Sequence, residues 1–123
     1  MPVEHAADHP RFELAGNTIS SFAAPARGSD EVALFQTDVP PGGGLPPHRH
    51  DHFDVFTVVA GALTFHLDDE TTELAVGDSA VVPIGVLHYI EAGADGASIV
   101  VAMLARTKFI REDGSEMVPD WVQ

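Results

Sequence analysis

The sequence predicts a single all-β domain, a sandwich or a barrel, on three grounds. A length of 123 residues leaves room for one hydrophobic core. Nine prolines and eleven glycines punctuate the chain. They fall about every ten residues, which is the spacing of short strands in a sandwich or barrel. Between them, as in 32–39, apolar positions alternate with the period of a strand that buries one face.

The order of elements follows from this punctuation. The predicted strands are 17–22, 32–39, 48–60, 62–67, 71–75, 79–83, 87–91 and 97–106. Gly61 and residues 93–96 are predicted to be turns between strands. Residues 1–15 are expected to form an arm that adds an edge strand, covers a partner subunit or frays. Residues 107–123 are expected to be a tail, in which Trp121 caps the barrel mouth or packs on a partner.

The composition excludes several classes of protein. Without cysteine the chain cannot be a disulfide scaffold, a thiolate metal site or a cysteine-nucleophile enzyme. A formal charge of −13 has the wrong sign for nucleic acid or an anionic membrane surface. The sequence shows neither a signal-peptide pattern nor an apolar run of about 18 residues. We therefore expect a cytoplasmic protein whose partner is a small molecule.

Segment 48–54, which reads His-Arg-His-Asp-His-Phe-Asp, is the most informative part of the sequence. In a continuous strand His48, His50, His52 and Asp54 share one face. Imidazoles two positions apart can place two nitrogens on one metal ion, and a carboxylate further along can join them. A solvated polar strand, or histidines hydrogen-bonded within the core, would give the same pattern.

A further histidine follows a sharp corner in the chain. Pro83 fixes its own φ and Gly85 permits a tight turn, so the strand that begins near His88 is aimed reproducibly. If this strand lies beside the first, His88 can complete a metal site. A surface histidine after an ordinary turn is the alternative.

Together the two segments resemble the paired motifs of the cupin family. The first motif, Gly-x5-His-x-His-x3-Glu-x6-Gly, is matched by Gly42, His48, His50 and Gly61. Asp54 stands where the family usually has glutamate. The second motif, Gly-x5-Pro-x-Gly-x2-His-x3-Asn, is matched by Gly77, Pro83, Gly85 and His88. Ala92 stands where asparagine is usual, and the resemblance spans residues 32–105.

The resemblance implies a small antiparallel, jelly-roll-like β-barrel that holds one divalent metal ion, namely Fe, Mn, Ni, Cu or Zn. Carried over residue by residue, it implies that the ligands are His48, His50, Asp54 and His88. Segments 53–61, 77–79 and 83–88 resemble single-domain cupins described as quercetin-dioxygenase-like. Cupins commonly pair through arms and sheet faces, and strand 99–104 is apolar on both faces, so a homodimer is expected.

The replacement of glutamate by Asp54 leaves three arrangements open. The aspartate side chain is shorter by one carbon–carbon bond, about 1.5 Å. Asp54 could bind the metal directly, or it could stand behind a three-histidine site and orient an imidazole or act as a base. In the third arrangement His52 is an additional nitrogen ligand.

The predicted function is that of a metal-dependent, dioxygenase-like enzyme acting on a small oxygenated or aromatic compound, with Asp54 as general base. A non-catalytic ligand-binding protein and a metal-dependent isomerase, epimerase or lyase are the alternatives. Apolar strand residues are candidates for the wall of the substrate cavity. They are Phe35, Phe56, Phe65, Ile90, Val101 and Met103.

Overall fold

Ten antiparallel strands curl into a barrel in the computed structural model, which describes residues 3–123. The strands are β1 (Arg11–Leu14), β2 (Asn17–Ala23), β3 (Val32–Val39), β4 (Gly44–His50), β5 (Asp54–Leu67), β6 (Glu70–Ala75), β7 (Ser79–Val82), β8 (His88–Leu104), β9 (Phe109–Arg111) and β10 (Glu116–Met117). Short 3₁₀ turns lie at Ala6–Asp8, Pro25–Arg27 and Asp120–Val122. The predicted all-β antiparallel fold is confirmed. Within the described residues, no helix is long and apolar enough to cross a membrane.

The two longest strands, β5 and β8, hold the barrel together. They pair with each other along most of their length. The second half of β8 also pairs with β3, which continues the sheet to β2 and β1. The first half of β8 pairs with β4, and β5 pairs in addition with β6 and β7. The start of β8 is thereby placed beside the end of β4.

The predicted turns at Gly61 and at 93–96 are wrong, because β5 and β8 each continue through these positions. Both strands bend there instead, and their register shifts on either side of Gly61. Gly61 and Gly96 have φ angles of 70° and 79°, which glycine adopts without steric cost. Apolar runs that the sequence divides into two strands are therefore one bent strand.

The core fills the inside of this curled sheet. Alternate residues of β3, β5 and β8 point inward, as the period-2 pattern of a strand requires. The inward-facing apolar side chains include Ile19, Phe35, Phe56, Val58, Phe65, Ile99, Val101 and Met103. Because the packing is incomplete at one end, a cavity remains there, and the histidines lie at it.

Both ends of the described chain contribute to the barrel. From the predicted arm, β1 adds an edge strand to β2, while Met1 and Pro2 lie outside the described residues. From the predicted tail, β9 and β10 form a hairpin, and β9 pairs with β4. Trp121 is 6% exposed and packs against Phe12 and Phe35 of the same chain.

Candidate metal centre

Three histidines converge where β4 and β8 meet. His48 and His50 lie on β4, two residues apart, and His88 is the first residue of β8, directly opposite His48. One ring nitrogen from each lies within 4.8 Å of those of the other two. The corner through Pro83 and Gly85, which the sequence predicted to aim this strand, leads into His88.

Two of the imidazoles are oriented by backbone carbonyls. His48 Nδ1 donates a hydrogen bond to the Pro46 carbonyl oxygen at 2.8 Å. His88 Nδ1 donates to the Val86 carbonyl oxygen at 2.9 Å. Since Nδ1 carries the proton, Nε2 of each neutral ring keeps its lone pair. Ligating histidines in metal sites are commonly fixed in this way.

Burial keeps these rings neutral. It lowers the pKa of His48 to about 3, and the nearby His88 pushes this pKa in the same direction. Burial also lowers the pKa of His88, against the opposing effect of the hydrogen bond to Val86. At neutral pH both imidazoles are therefore unprotonated, as a metal ligand must be.

His50 and Asp54 form a buried polar pair beside the other two histidines. His50 is 2% exposed and Asp54 is 4% exposed. His50 Nδ1 lies 3.5 Å from Asp54 Oδ1. Within the described residues, both His50 nitrogens and Asp54 Oδ1 are buried without a hydrogen-bond partner. Buried polar atoms normally have partners, and an unpaired imidazole nitrogen in this position fits the role of a metal ligand.

The donor set fits a divalent transition metal. Three imidazole nitrogens suit Zn, Cu, Fe or Ni, and such a site leaves coordination positions for water or substrate. The histidine group that could hold an ion comprises His48, His50 and His88. Asp54 lies next to His50 but is not part of this group of three.

His52 is placed away from the site. The side chain of His52 is 44% exposed and its Nε2 lies 3.9 Å from Asp51 Oδ1. The expectation of one continuous strand from residue 48 to residue 60 is wrong, because β4 ends at His50 and β5 begins at Asp54. Asp51 ends the strand by accepting a hydrogen bond from the Lys108 amide at 2.8 Å. The alternation that would turn His52 inward is lost at this point.

A cavity of about 380 Å³ opens beside the three histidines. This volume lies within the range of small-molecule sites, about 300–1,000 Å³. The lining is mostly apolar and includes all six side chains that the sequence proposed for it, namely Phe35, Phe56, Phe65, Ile90, Val101 and Met103. Asp54 also lines the cavity.

The C-terminal hairpin supplies cavity residues that the sequence did not predict. These are Phe109, Arg111 and Met117. Trp121, which follows the hairpin and was expected to cap the barrel mouth or pack on a partner, also lines the cavity. In the sequence, Phe109 stands two positions before Arg111, and a pattern this short does not identify a strand.

His66 lies outside the histidine group and stacks on Tyr89 with ring centroids 4.1 Å apart.

The fold and the site define a class of protein: a small antiparallel barrel with a cluster of histidines at an apolar cavity. The chain belongs to the cupin family, because the family model described as "Cupin domain" matches residues 35–104. None of the curated protein sequences compared with the chain matches it significantly.

Solved structures share the fold. The polyketide cyclase RemF from Streptomyces resistomycificus is 24% identical, with a TM-score of 0.74 over 85% of this chain and 79% of its own. An RmlC-like cupin from Shewanella frigidimarina NCIMB 400 is 20% identical, with a TM-score of 0.73 over 82% and 87%. Oxalate decarboxylase from Bacillus subtilis, which has Mn(II) centres, is 19% identical, with a TM-score of 0.70 over 79% of this chain but 27% of its own.

Proposed function

We propose that this cupin is a metal-dependent enzyme, dioxygenase-like, that acts on a small oxygenated or aromatic compound in the barrel cavity. The observation that carries the proposal is the convergence of three imidazoles, of which His50 and His88 are buried, at the end of an apolar cavity. His48, His50 and His88 would hold one divalent ion. The Mn(II) centres of the Bacillus decarboxylase support the use of this fold for such a site.

Different residues of the chain bind the substrate and transfer its proton. Apolar side chains such as Phe35 and Phe56 hold the carbon skeleton of the substrate and exclude water. The bound ion supplies Lewis acidity and, if it is Fe, Mn, Ni or Cu, the capacity for oxygen chemistry. Asp54 is the buried carboxylate of the cavity, and it accepts the substrate proton as general base.

A non-redox reaction, such as isomerisation, epimerisation or elimination, is the second candidate. The position of Asp54 favours it, because a carboxylate base beside a Lewis-acid site suffices for proton abstraction without oxygen. RemF, a polyketide cyclase on the same fold, supports the view that such a barrel serves chemistry other than oxygenation. The identity of the bound metal separates the two candidates.

The test of the proposal is the metal content of protein purified without chelator or added metal. We expect a near-stoichiometric divalent ion in the wild type. We expect its loss in His88→Ala, because the two remaining imidazoles are too few protein ligands to hold the ion. His66→Ala is the matched control, since this histidine lies outside the group and its replacement should leave the metal in place.

The identity of the bound metal decides which activity is assayed. Fe, Mn, Ni or Cu would support the oxygenase, to be tested as oxygen uptake with catechols and flavonols. Zinc would favour the non-redox candidate. A wild-type protein that takes up no metal even after anaerobic reloading would contradict both and leave a barrel that binds its ligand without converting it.

We also propose that the protein is a homodimer formed through the outer face of the sheet. One cross-strand row on that face, Val81–Val55–Ala102–Leu34, carries no charge. In the neighbouring row Val32 pairs with Leu104, and these side chains are 45% and 40% exposed. On a molecule with a charge of −13, an uncharged face is where a second copy can approach with least repulsion.

Sedimentation velocity tests this interface. We expect a dimer for the wild type and a monomer for Val81→Glu. Val81 is 63% exposed at the end of the uncharged row, and the variant places a charge on this face. Val76→Glu is the control, since Val76 is 61% exposed but lies outside both rows. A monomeric wild type, or equal dissociation of both variants, would contradict the proposed face.

A further inference from the structure

The C-terminal hairpin lies against the strand that carries two of the histidines. One edge of β4 pairs with β8, and its other edge pairs with β9. In this register His50 is opposite Phe109 and His48 is opposite Arg111. The hairpin falls outside residues 35–104, the part of the chain that matches the family model.

Phe109 packs directly on both imidazoles. Its ring is stacked on His48, with centroids 5.4 Å apart and the planes 12° from parallel. It also contacts His50, with centroids 4.3 Å apart. Trp121 supports the phenyl ring from another side, edge-on at 6.4 Å. Phe109 is therefore held between the buried tryptophan and the two histidines.

The backbone beside this ring is fixed as well. Lys108, next to Phe109, donates its amide to Asp51 Oδ1 at 2.8 Å and accepts a hydrogen bond from the Asp51 amide at 3.3 Å. Asp51 directly follows His50. These bonds tie the end of β4 to the start of β9, so Phe109 cannot shift relative to the histidines without breaking them.

We propose that Phe109 is a positioning residue that sets the ring orientation of His50 and His48. The inference rests on the metal site proposed above. Pro46 fixes the His48 ring through a hydrogen bond, but both His50 nitrogens are without a hydrogen-bond partner in the described part of the chain. Packing against a flat aromatic surface supplies the restraint that a hydrogen bond usually gives a ligating histidine.

Cobalt(II) binding to three variants tests this role. Phe109→Leu keeps an apolar side chain but removes the flat surface. We expect it to weaken Co(II) binding by about 10–100-fold, the range seen when partners of metal ligands are lost, and to change the visible spectrum of the bound ion. Phe109→Tyr restores the aromatic ring, so it should recover both properties.

Phe65→Leu is the matched control for the loss of a ring from the same cavity. Phe65 lines the cavity, and its ring packs on Phe56 at 5.2 Å. This variant should lose thermal stability but keep the affinity and the spectrum of the wild type. If Phe109→Leu changes Co(II) binding no more than Phe65→Leu does, Phe109 does not position the ligands.

NMR of the metal-free protein gives a readout that does not depend on the metal. Loss of the restraint should broaden the His48 and His50 ring signals in Phe109→Leu, but not in Phe65→Leu. Line widths equal to those of the wild type would overturn the inference, because a change of chemical shift alone reports only the lost ring current of Phe109. A wild type that binds no cobalt while its signals respond as expected would instead contradict the proposed function and leave Phe109 as the residue that orients the rings.

Discussion

Replacing Asp54 by asparagine is expected to leave the metal bound and to lower turnover by at least about 100-fold, the contribution typical of a general base. Asp54 Oδ1 lies 3.5 Å from His50 Nδ1, and the residue also lines the cavity. An asparagine keeps the size of the side chain and an uncharged oxygen in that position. It cannot take up a proton, however, and the variant therefore removes only the basic function.

Asp54→Ala separates the two roles of this side chain. Alanine removes both the base and the buried polar side chain beside His50, so we expect it to weaken metal binding by about 10–100-fold in addition to the loss of turnover. The measurements are metal affinity by competition with a chromophoric chelator and turnover of a substrate identified with the wild type. His66→Ala again controls for changes outside the site.

Two outcomes would contradict this assignment. If Asp54→Asn loses its metal altogether, Asp54 is a direct ligand, as in the four-ligand arrangement that the cupin resemblance implies. If Asp54→Asn keeps the turnover of the wild type, the base lies elsewhere. The exposed position of His52 argues against its being a ligand. The metal content and turnover of Asp54→Asn then decide between the two other arrangements that the sequence left open.

The sequence was most informative where a local pattern and the global fold agree. The strand predicted over 32–39 has the observed bounds of β3. His48, His50 and His88 were expected to converge because motif spacing encodes both the strand and the turn, and the structure brings them together. All of this depends on the strand period and on a turn whose chemistry is set by proline and glycine.

The sequence was least informative where tertiary contacts override the strand period. Asp51 bonds to the distant Lys108, which interrupts the alternation after His50 and turns His52 outward. Phe109 lies in a three-residue strand whose pairing with β4 stabilises it, so no local pattern could identify it. In both cases the determining partner is more than fifty residues away along the chain.

The glycines of the two motifs have different physical roles, and the replacement of Gly61 is expected to have a large effect on stability. We expect Gly61→Ala to destabilise the protein by about 3 kcal/mol or more, well above a typical substitution. Gly61 has a φ of 70°, and a Cβ at this position would clash with the Gly96 carbonyl oxygen. Because that oxygen belongs to the backbone of β8, the clash can be relieved only if the two bent strands move apart.

Gly77→Ala is the matched control for the strained backbone alone. Gly77 has a φ of 93°, but a Cβ there meets no atom within 4 Å. It should therefore cost only the left-handed conformation, about 1–2 kcal/mol. Urea unfolding of both metal-free variants measures the difference. Equal losses would show that β5 and β8 separate easily at Gly61. A larger loss at Gly61 would show that the close approach of the two strands fixes the bend, and a bent β8 is what brings His88 to the histidines of β4.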